Sequence, residues 1–270
     1  VHEQELEPGL EAMLTDERHS VILDRLASEG RVLAASLAAE FGVSEDTVRR
    51  DLRDLARAGA CRRVYGGALP LTTAPEPGPE RTRAGIAAPE KAALARAATA
   101  LIAPGQTILI DAGTTNTAIA AAIATAIPTG FGLTIATNSL SVAGALASRE
   151  DIRLVVLGGA HDASRGACLG ADTVDAIRRL RADLFFLGPC AIDADLGITA
   201  FDPAETDVKR AMAEASLGLA VAATTDKLAT AAPFRVAPPE AITHLVVSGD
   251  APEETLAAFA AHGTLLHHAD

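Results

Sequence analysis

The sequence predicts an α/β protein in two parts: a short N-terminal helical segment closed by a β-hairpin, then a larger domain with a mostly parallel sheet. Three observations carry this. From about residue 107 onward, short apolar runs alternate with helical stretches, the rhythm of a sheet covered on both faces. Upstream, Pro70, Pro75, Pro77, Gly78 and Pro79 break all periodicity, which marks a stiff, extended connection. Ahead of that, three amphipathic stretches lead into Gly66-Gly67, a turn pair between two short extended runs.

The elements follow in order. Residues 16–29 read as a helix with Asp16 as N-cap, Val21, Ile22 and Leu26 on one stripe, and Gly30 as its stop. Residues 33–40 read as a shorter helix with Leu33 and Leu37 inward. Phe41-Gly42-Val43 makes a turn, and Ser44 caps a third helix that runs to about Ala58 and stops at Gly59. Arg62–Leu69 reads as a hairpin. Beyond the break, strands are expected at 107–111, 133–137, 152–157, 183–187, 218–223 and 245–247. Helices are expected at 89–102, 116–126, 139–148, 172–181, 203–216 and 251–261, with the His267-His268 pair on a frayed end. The expected domains are a disordered extension over 1–12 with the natural start near Met13, a helical unit with its hairpin over 13–69, a linker over 70–84 and an α/β domain over 85–270.

Charge separates the two parts. The chain carries a net −12, yet its 13–70 segment balances nine arginines against nine acids. An acidic body with a local basic patch repels non-specific phosphate and leaves the patch to steer. Cys61, Cys168 and Cys190 are far apart and suggest neither a disulfide nor a metal site. No apolar run reaches the ~18 residues of a membrane span. The expectation is a cytoplasmic protein that binds no membrane, metal or cofactor.

The helix at 44–58 is the sharpest signal. At 100° per residue Val48, Leu52 and Leu55 form one stripe, and Arg49, Arg50, Arg53 and Arg57 fall opposite it. An Arg-lined helix with its first turn at Ser44 and Thr47 suits a major groove, where Arg forks onto guanine edges or clamps phosphate. The competing reading is a solvated face, because Asp46, Asp51 and Asp54 lie near the arginines and Asp46→Arg50 is an i,i+4 pair. The short preceding helix, the tight turn and the Arg62-Arg63 hairpin favour DNA: together they read as a winged helix-turn-helix. The run Val43-Ser44, Thr47-Val48-Arg49-Arg50-Asp51-Leu52, Gly59, and Arg63 before Tyr65-Gly66-Gly67-Ala68 resembles the DNA-binding domain of DeoR-family regulators. That resemblance implies a double-stranded DNA operator contacted by Ser44, Thr47, Arg49, Arg50 and Arg53 on the helix and by Arg63 near the wing. Asp51 and Leu52 read as structural. Where the family pattern usually has His, this chain has Tyr65.

In the second part, Asp111-Ala112-Gly113-Thr114-Thr115 leaves a strand and opens a helix. Free amides and two hydroxyls there form an anion site or an ordinary βα turn; the residues are neither a Walker loop nor a dinucleotide fingerprint. Thr137-Asn138-Ser139, Gly158-Gly159, Gly188 and Asp193 follow other strands, and ligands of open sheets sit at such strand ends. Lys227 is either a phosphate partner or a solvated lysine. From about Gly85 to Asp250 this tract resembles the DeoR-family C-terminal domain, whose fold is that of the sugar-phosphate isomerases and CoA transferases. The resemblance implies a phosphorylated sugar effector held at phosphate by Gly113, Thr114, Thr115 and Lys227, and at hydroxyls by Asp111, Asn138 and Asp193, with Gly158 and Gly159 beside them. One segment departs from the pattern: Thr224-Thr225-Asp226-Lys227 stands where the family usually has an Asp-Ser-Ser-Lys-like run, so an acid is replaced by hydroxyl.

The implied function is a repressor of carbohydrate genes, a homo-oligomer without catalytic residues that effector releases from DNA. The alternatives are a sugar-phosphate isomerase or deaminase using Asp111, Asp193, Asp195 or Glu205, and an interaction protein with a non-DNA-binding winged helix.

Overall fold

The computed structural model describes residues 13–64 and 66–269. The extension over 1–12 and Tyr65 lie outside the described residues. The chain divides into two compact units, one ending at Thr72 and one beginning at Thr73.

The first unit holds α1 (Thr15–Glu29), β1 (Val32–Leu33), α2 (Ala34–Phe41), α3 (Glu45–Arg57), β2 (Cys61–Val64) and β3 (Gly67–Pro70). Its core is Ile22, Leu26, Leu37, Phe41, Val48, Leu52 and Leu55, sealed by Cys61 and Ala68 of the hairpin. Two local expectations are corrected. Asp16 does not cap α1; the chain turns at Leu14, whose amide donates to Glu17 at 2.9 Å. Leu33 is exposed, because Val32–Leu33 is extended and pairs antiparallel with β3 instead of starting α2. That third strand explains the two glycines separately. Gly66 takes φ +83 in the turn, whereas a Cβ on Gly67 would stand 1.9 Å from the Val32 carbonyl oxygen. Gly67 lets β1 lie against the wing.

β4 (Thr72–Thr73) spans the boundary, and in the second unit α4 (Glu80–Arg83) precedes α5 (Ala88–Thr99). Residues 70–84, expected as a linker, are therefore partly built into the fold: Ala74 donates to the Ala231 carbonyl and Glu80 to that of Ser164. Then come β5 (Thr107–Ile110), α6 (Thr114–Ala126), β6 (Thr134–Thr137), α7 (Leu140–Leu146), β7 (Arg153–Val156), β8 (Ala160–Asp162), β9 (Ala167–Leu169), α8 (Ala171–Arg178) and β10 (Ala182–Leu187). The chain continues through β11 (Ala191–Asp193), β12 (Gly197–Ala200), α9 (Pro203–Glu214), β13 (Ser216–Ala223), a 3₁₀ turn at Thr225–Lys227, β14 (Thr230–Ala231) and β15 (Phe234–Ala237). It ends with β16 (His244–Ser248), α10 (Glu253–Ala261) and β17 (Leu265–Ala269).

Seven strands form one parallel sheet in the order β17-β16-β13-β10-β5-β6-β7. Both faces are dry. Leu184 and Phe186 of β10 face Leu94, Ile119 and Val142 on one side; Phe185 and Leu187 face Ile177, Met212 and Phe259 on the other. The alternation along one strand is that of a sheet covered by helices on both faces. The His267-His268 pair is not frayed: β17 pairs with β16 along its whole length, and the His267 and His244 rings meet at 3.1 Å between nitrogens. Two antiparallel additions, β8–β9 and β11–β12–β15, give no periodic signal because each strand has only three or four residues.

This strand order places the site. The chain moves from β5 outward to β6 and β7, then returns to the other side of β5 with β10, β13, β16 and β17. The switch in direction lies between β5 and β10, and the crevice opens at the C-terminal ends of strands beside such a switch.

Candidate functional site

Two sites are built from separate units. In the first, Ser44 caps α3: its hydroxyl accepts the Thr47 amide at 3.2 Å, and the two hydroxyls meet at 2.9 Å. The buried side of α3 is Val48, Asp51, Leu52, Leu55 and Ala56; Arg49, Arg50, Arg53 and Arg57 are all exposed. Asp46 and Asp54 are exposed too. Asp51, by contrast, is 3% exposed and receives the Arg18 guanidinium through Nε at 2.7 Å and Nη2 at 3.0 Å. The pairing raises the Arg18 pKa further and leaves Asp51 unavailable to the arginines of its own helix. Arg49 does carry an acid, Glu45 Oε2 at 2.7 Å, one turn back and exposed. Arg63 is exposed on β2 of the wing.

In the second unit a cavity of about 660 Å³ opens at the β5/β10 switch. Its wall takes Gly113, Thr114 and Thr115 from the start of α6, Gly188 and Cys190 from beyond β10, and Thr224–Lys227 from beyond β13. The first bond inside α6 runs from the Thr117 amide to Gly113 O, so the amides of Thr114, Thr115 and Asn116 precede the helical ladder. Gly113, at φ +155, carries the chain past Gly188, whose Cα would lie 3.9 Å from a Cβ there.

Below the cavity floor lies a buried ion pair that periodicity could not reveal. Asp111, 1% exposed, accepts the Gly188 amide at 2.8 Å, the Asn116 amide at 2.5 Å and the Lys209 ammonium. Lys209 also donates to Gly188 O at 2.7 Å and lies 3.4 Å from Glu205 Oε1. Burial pushes the Asp111 carboxyl up, and Lys209 and the Gly188 amide oppose it. Burial pulls Lys209 down, but the Asp111 and Glu205 carboxylates outweigh it and hold the ammonium above the ordinary lysine range. Lys209 was missed because it follows no strand; it reaches the strand ends from α9. The i,i+4 spacing of Glu205 and Lys209 was the available signal.

The effector residues expected from the sequence fall into two sets. Gly113, Thr114, Thr115 and Lys227 line the cavity. Asp111 lies beneath it, buried and turned to three protein donors. Asn138, Gly158, Gly159 and Asp193 are not on the wall. The reason is strand order: Asn138 follows β6 and Gly158-Gly159 follow β7, on the far side of β5 from the switch. Asn138 donates to Cys168 O at 2.9 Å, and Gly158 O accepts the Thr173 hydroxyl at 2.8 Å. Asp193 holds the β11–β12 turn through the amides of Asp195 and Leu196. The departure at 224–227 is compensated locally, since Thr224 donates to Asp226 at 2.5 Å and Lys227 lies 3.4 Å from the same carboxylate.

Comparison with known proteins matches both units. Residues 18–74 match the DeoR-like helix-turn-helix domain, and residues 86–249 the DeoR C terminal sensor domain. The chain is 31% identical over 205 residues to the glycerol-3-phosphate regulon repressor of Escherichia coli K12, covering 76% of this chain and 79% of that one. It is 29% identical over 245 residues to a putative aga operon transcriptional repressor of Escherichia coli O157:H7, covering 90% and 89%. Among solved structures, ribose 5-phosphate isomerase A of Neisseria gonorrhoeae aligns with 52% of this chain and 53% of its own at 18% identity and a TM-score of 0.38. Among the described residues no helix is long and apolar enough to cross a membrane. With the arginine face of α3 and matches across both units, the chain belongs to the DeoR family of DNA-binding transcriptional regulators.

Proposed function

We propose that this protein represses carbohydrate-metabolism genes from an operator and is released by a phosphorylated sugar bound at the β5/β10 switch. Ser44, Thr47, Arg49, Arg50 and Arg53 take the major groove and Arg63 the neighbouring backbone. Gly113, Thr114, Thr115 and Lys227 take the phosphate, with amides and hydroxyls at a helix start and an ammonium opposite. Asp111 and Lys209 set the floor and do not touch the ligand.

One observation carries the reading. Pro75, Glu76, Pro77 and Gly78 are part of the cavity wall, and they begin three residues after Thr72, where the N-terminal unit ends. This strap is anchored at Ala74 and Glu80, and Arg83 Nε donates to Gly78 O at 2.8 Å. A ligand that touches the strap acts on the chain that holds the DNA-binding unit, and it shifts the DNA equilibrium by its differential affinity for the two states. Two copies present paired winged helices to repeated half-sites.

The geometry takes three of the four candidate bases out of reach of a bound substrate: Asp111 is buried under Lys209, Asn116 and Gly188, and Asp193 and Asp195 are not on the wall. Glu205 is on the wall but shared with Lys209, Arg165 and the Cys190 thiol, so turnover is assayed directly. The test is to isolate genomic fragments bound by the full chain, then titrate sugar phosphates into that complex while assaying for turnover. Release without turnover supports the proposal; turnover, or binding indifferent to every sugar phosphate, contradicts it.

A further inference from the structure

Glu205 is one of several carboxylates on the cavity wall, with Glu76, Glu90, Asp226 and Asp250, and the one that stands beside the buried Asp111–Lys209 pair. It sits in the first turn of α9, where its amide donates to Asp202 at 2.9 Å, and its side chain is 17% exposed. Oε1 lies 3.4 Å from Lys209 and accepts the Cys190 thiol at 3.6 Å; Oε2 lies 3.5 Å from Arg165 Nε. Protein groups therefore fix this carboxylate from behind and leave it facing the cavity. A carboxylate oxygen has lone pairs for about two hydrogen bonds, so capacity remains for donors on a ligand.

The cations beside it are already engaged. Lys209 is bound to Asp111 and Gly188 O. Arg165 lies 3.3 Å from Asp162 and 3.4 Å from Asp202 as well as against Glu205. This end of the cavity thus offers acceptors for hydroxyl groups and a net negative field, since the two cations, buried Lys209 and wall-lining Arg165, are shared among Asp111, Asp162, Asp202 and Glu205. The anion-favouring helix start at Gly113–Thr115 supplies the other chemistry.

We infer that Glu205 is a specificity-determining residue, which accepts hydroxyls of a neutral polyhydroxy chain carrying one phosphate and excludes chains that end in a carboxylate or a second phosphate. The inference rests on the reading of the cavity as a sugar-phosphate site and adds which sugar phosphates enter it. Like charge discriminates against the wrong partner here, because an anion brought against Glu205 loses water and meets cations, Arg165 and Lys209, that are already shared among four carboxylates.

Matched ligands test this. Glycerol 3-phosphate pairs with 3-phosphoglycerate, and sorbitol 6-phosphate with 6-phosphogluconate; in each pair a terminal CH2OH of the first member is a carboxylate in the second. Titration calorimetry on the full chain should show, for any pair that binds, the neutral-chain member tighter by at least about tenfold. Glu205→Gln should bring the two members within about threefold, and Glu205→Asp should keep the preference. Thermal unfolding establishes that each variant is folded; should glutamine disturb the Lys209 pair, the wild-type ratio and the aspartate variant decide. Equal affinities in wild type, or an undiminished preference in a folded Glu205→Gln protein, overturn the inference and leave the phosphate site standing. Absence of binding by all four compounds overturns the site reading, and this inference with it.

Discussion

Arg18 on α1 and Asp51 on α3 form a two-point ion pair across 33 positions of sequence, with side chains only 9% and 4% exposed. The pair locks the helix bearing the arginine face to the helix that supports it. Removing one partner leaves a buried charge without its counter-charge, which costs about 3–5 kcal/mol. Asp51→Ala should therefore lower the unfolding free energy of the N-terminal unit by that order, read by urea denaturation followed with circular dichroism. The double replacement Arg18→Met/Asp51→Leu should be milder than either single one, because no charge is stranded. A single variant within about 1 kcal/mol of wild type would contradict this role.

In the proposed interface Arg49 reaches DNA only after it leaves Glu45. Arg49→Ala should weaken operator binding by about 1–3 kcal/mol if it reads a base edge, and the loss should concentrate on the specific fragment. If it meets only phosphate, affinity should fall alike for all duplexes and the salt slope should shrink by about one. Glu45→Ala frees the guanidinium and should leave binding equal or tighter. Anisotropy titrations at several salt concentrations separate the cases, and unchanged binding by Arg49→Ala would remove the residue from the interface.

The wing tests a different relation. A Cβ on Gly67 would overlap the Val32 carbonyl, a backbone atom that cannot swing aside. Gly67→Ala should force β1 away from β3 and cost about 1–3 kcal/mol of stability, whereas exposed Gly66 pays for alanine mainly through its left-handed backbone. Thermal melts of the two variants should rank Gly67→Ala as the less stable.

Cys190 reports on the cavity floor. Burial, with Glu205 beside it, pushes the thiol up to about 11. Raising an acid's pKa in the folded state means the thiolate appears only as pH climbs toward that value. Alkylation should therefore be slow at pH 7.5 and rise about tenfold per pH unit up to that value. Peptide mapping after timed iodoacetamide treatment checks it; a rate at pH 7.5 matching a free thiol would contradict the half-buried, acid-flanked geometry.

The sequence carried the helical and strand periodicities well, because Val48, Leu52 and Leu55 or the β10 run Leu184–Leu187 are strong apolar patterns. It also carried Gly113-Thr114-Thr115, since a strand–turn–helix with small polar residues is local. It did not carry the strand order, and that one unknown decided which strand ends meet. Asn138 and Gly158 resemble Gly113 in sequence context but lie beyond β5 from the switch. Lys209 escaped for the same reason, as its contact with Asp111 spans 98 positions. β1 escaped because two residues, Val32 and Leu33, have no period to read.

The most direct measurement of the central claim is release of a labelled operator from the full chain by a bound sugar phosphate, compared between wild type and the double variant Thr114→Val/Lys227→Ala. The account predicts that both bind operator alike, that wild type is released, and that the variant needs at least about a hundredfold more ligand, since it lacks the ammonium and a hydroxyl of the cradle. Release of the variant at the wild-type ligand concentration would contradict the account.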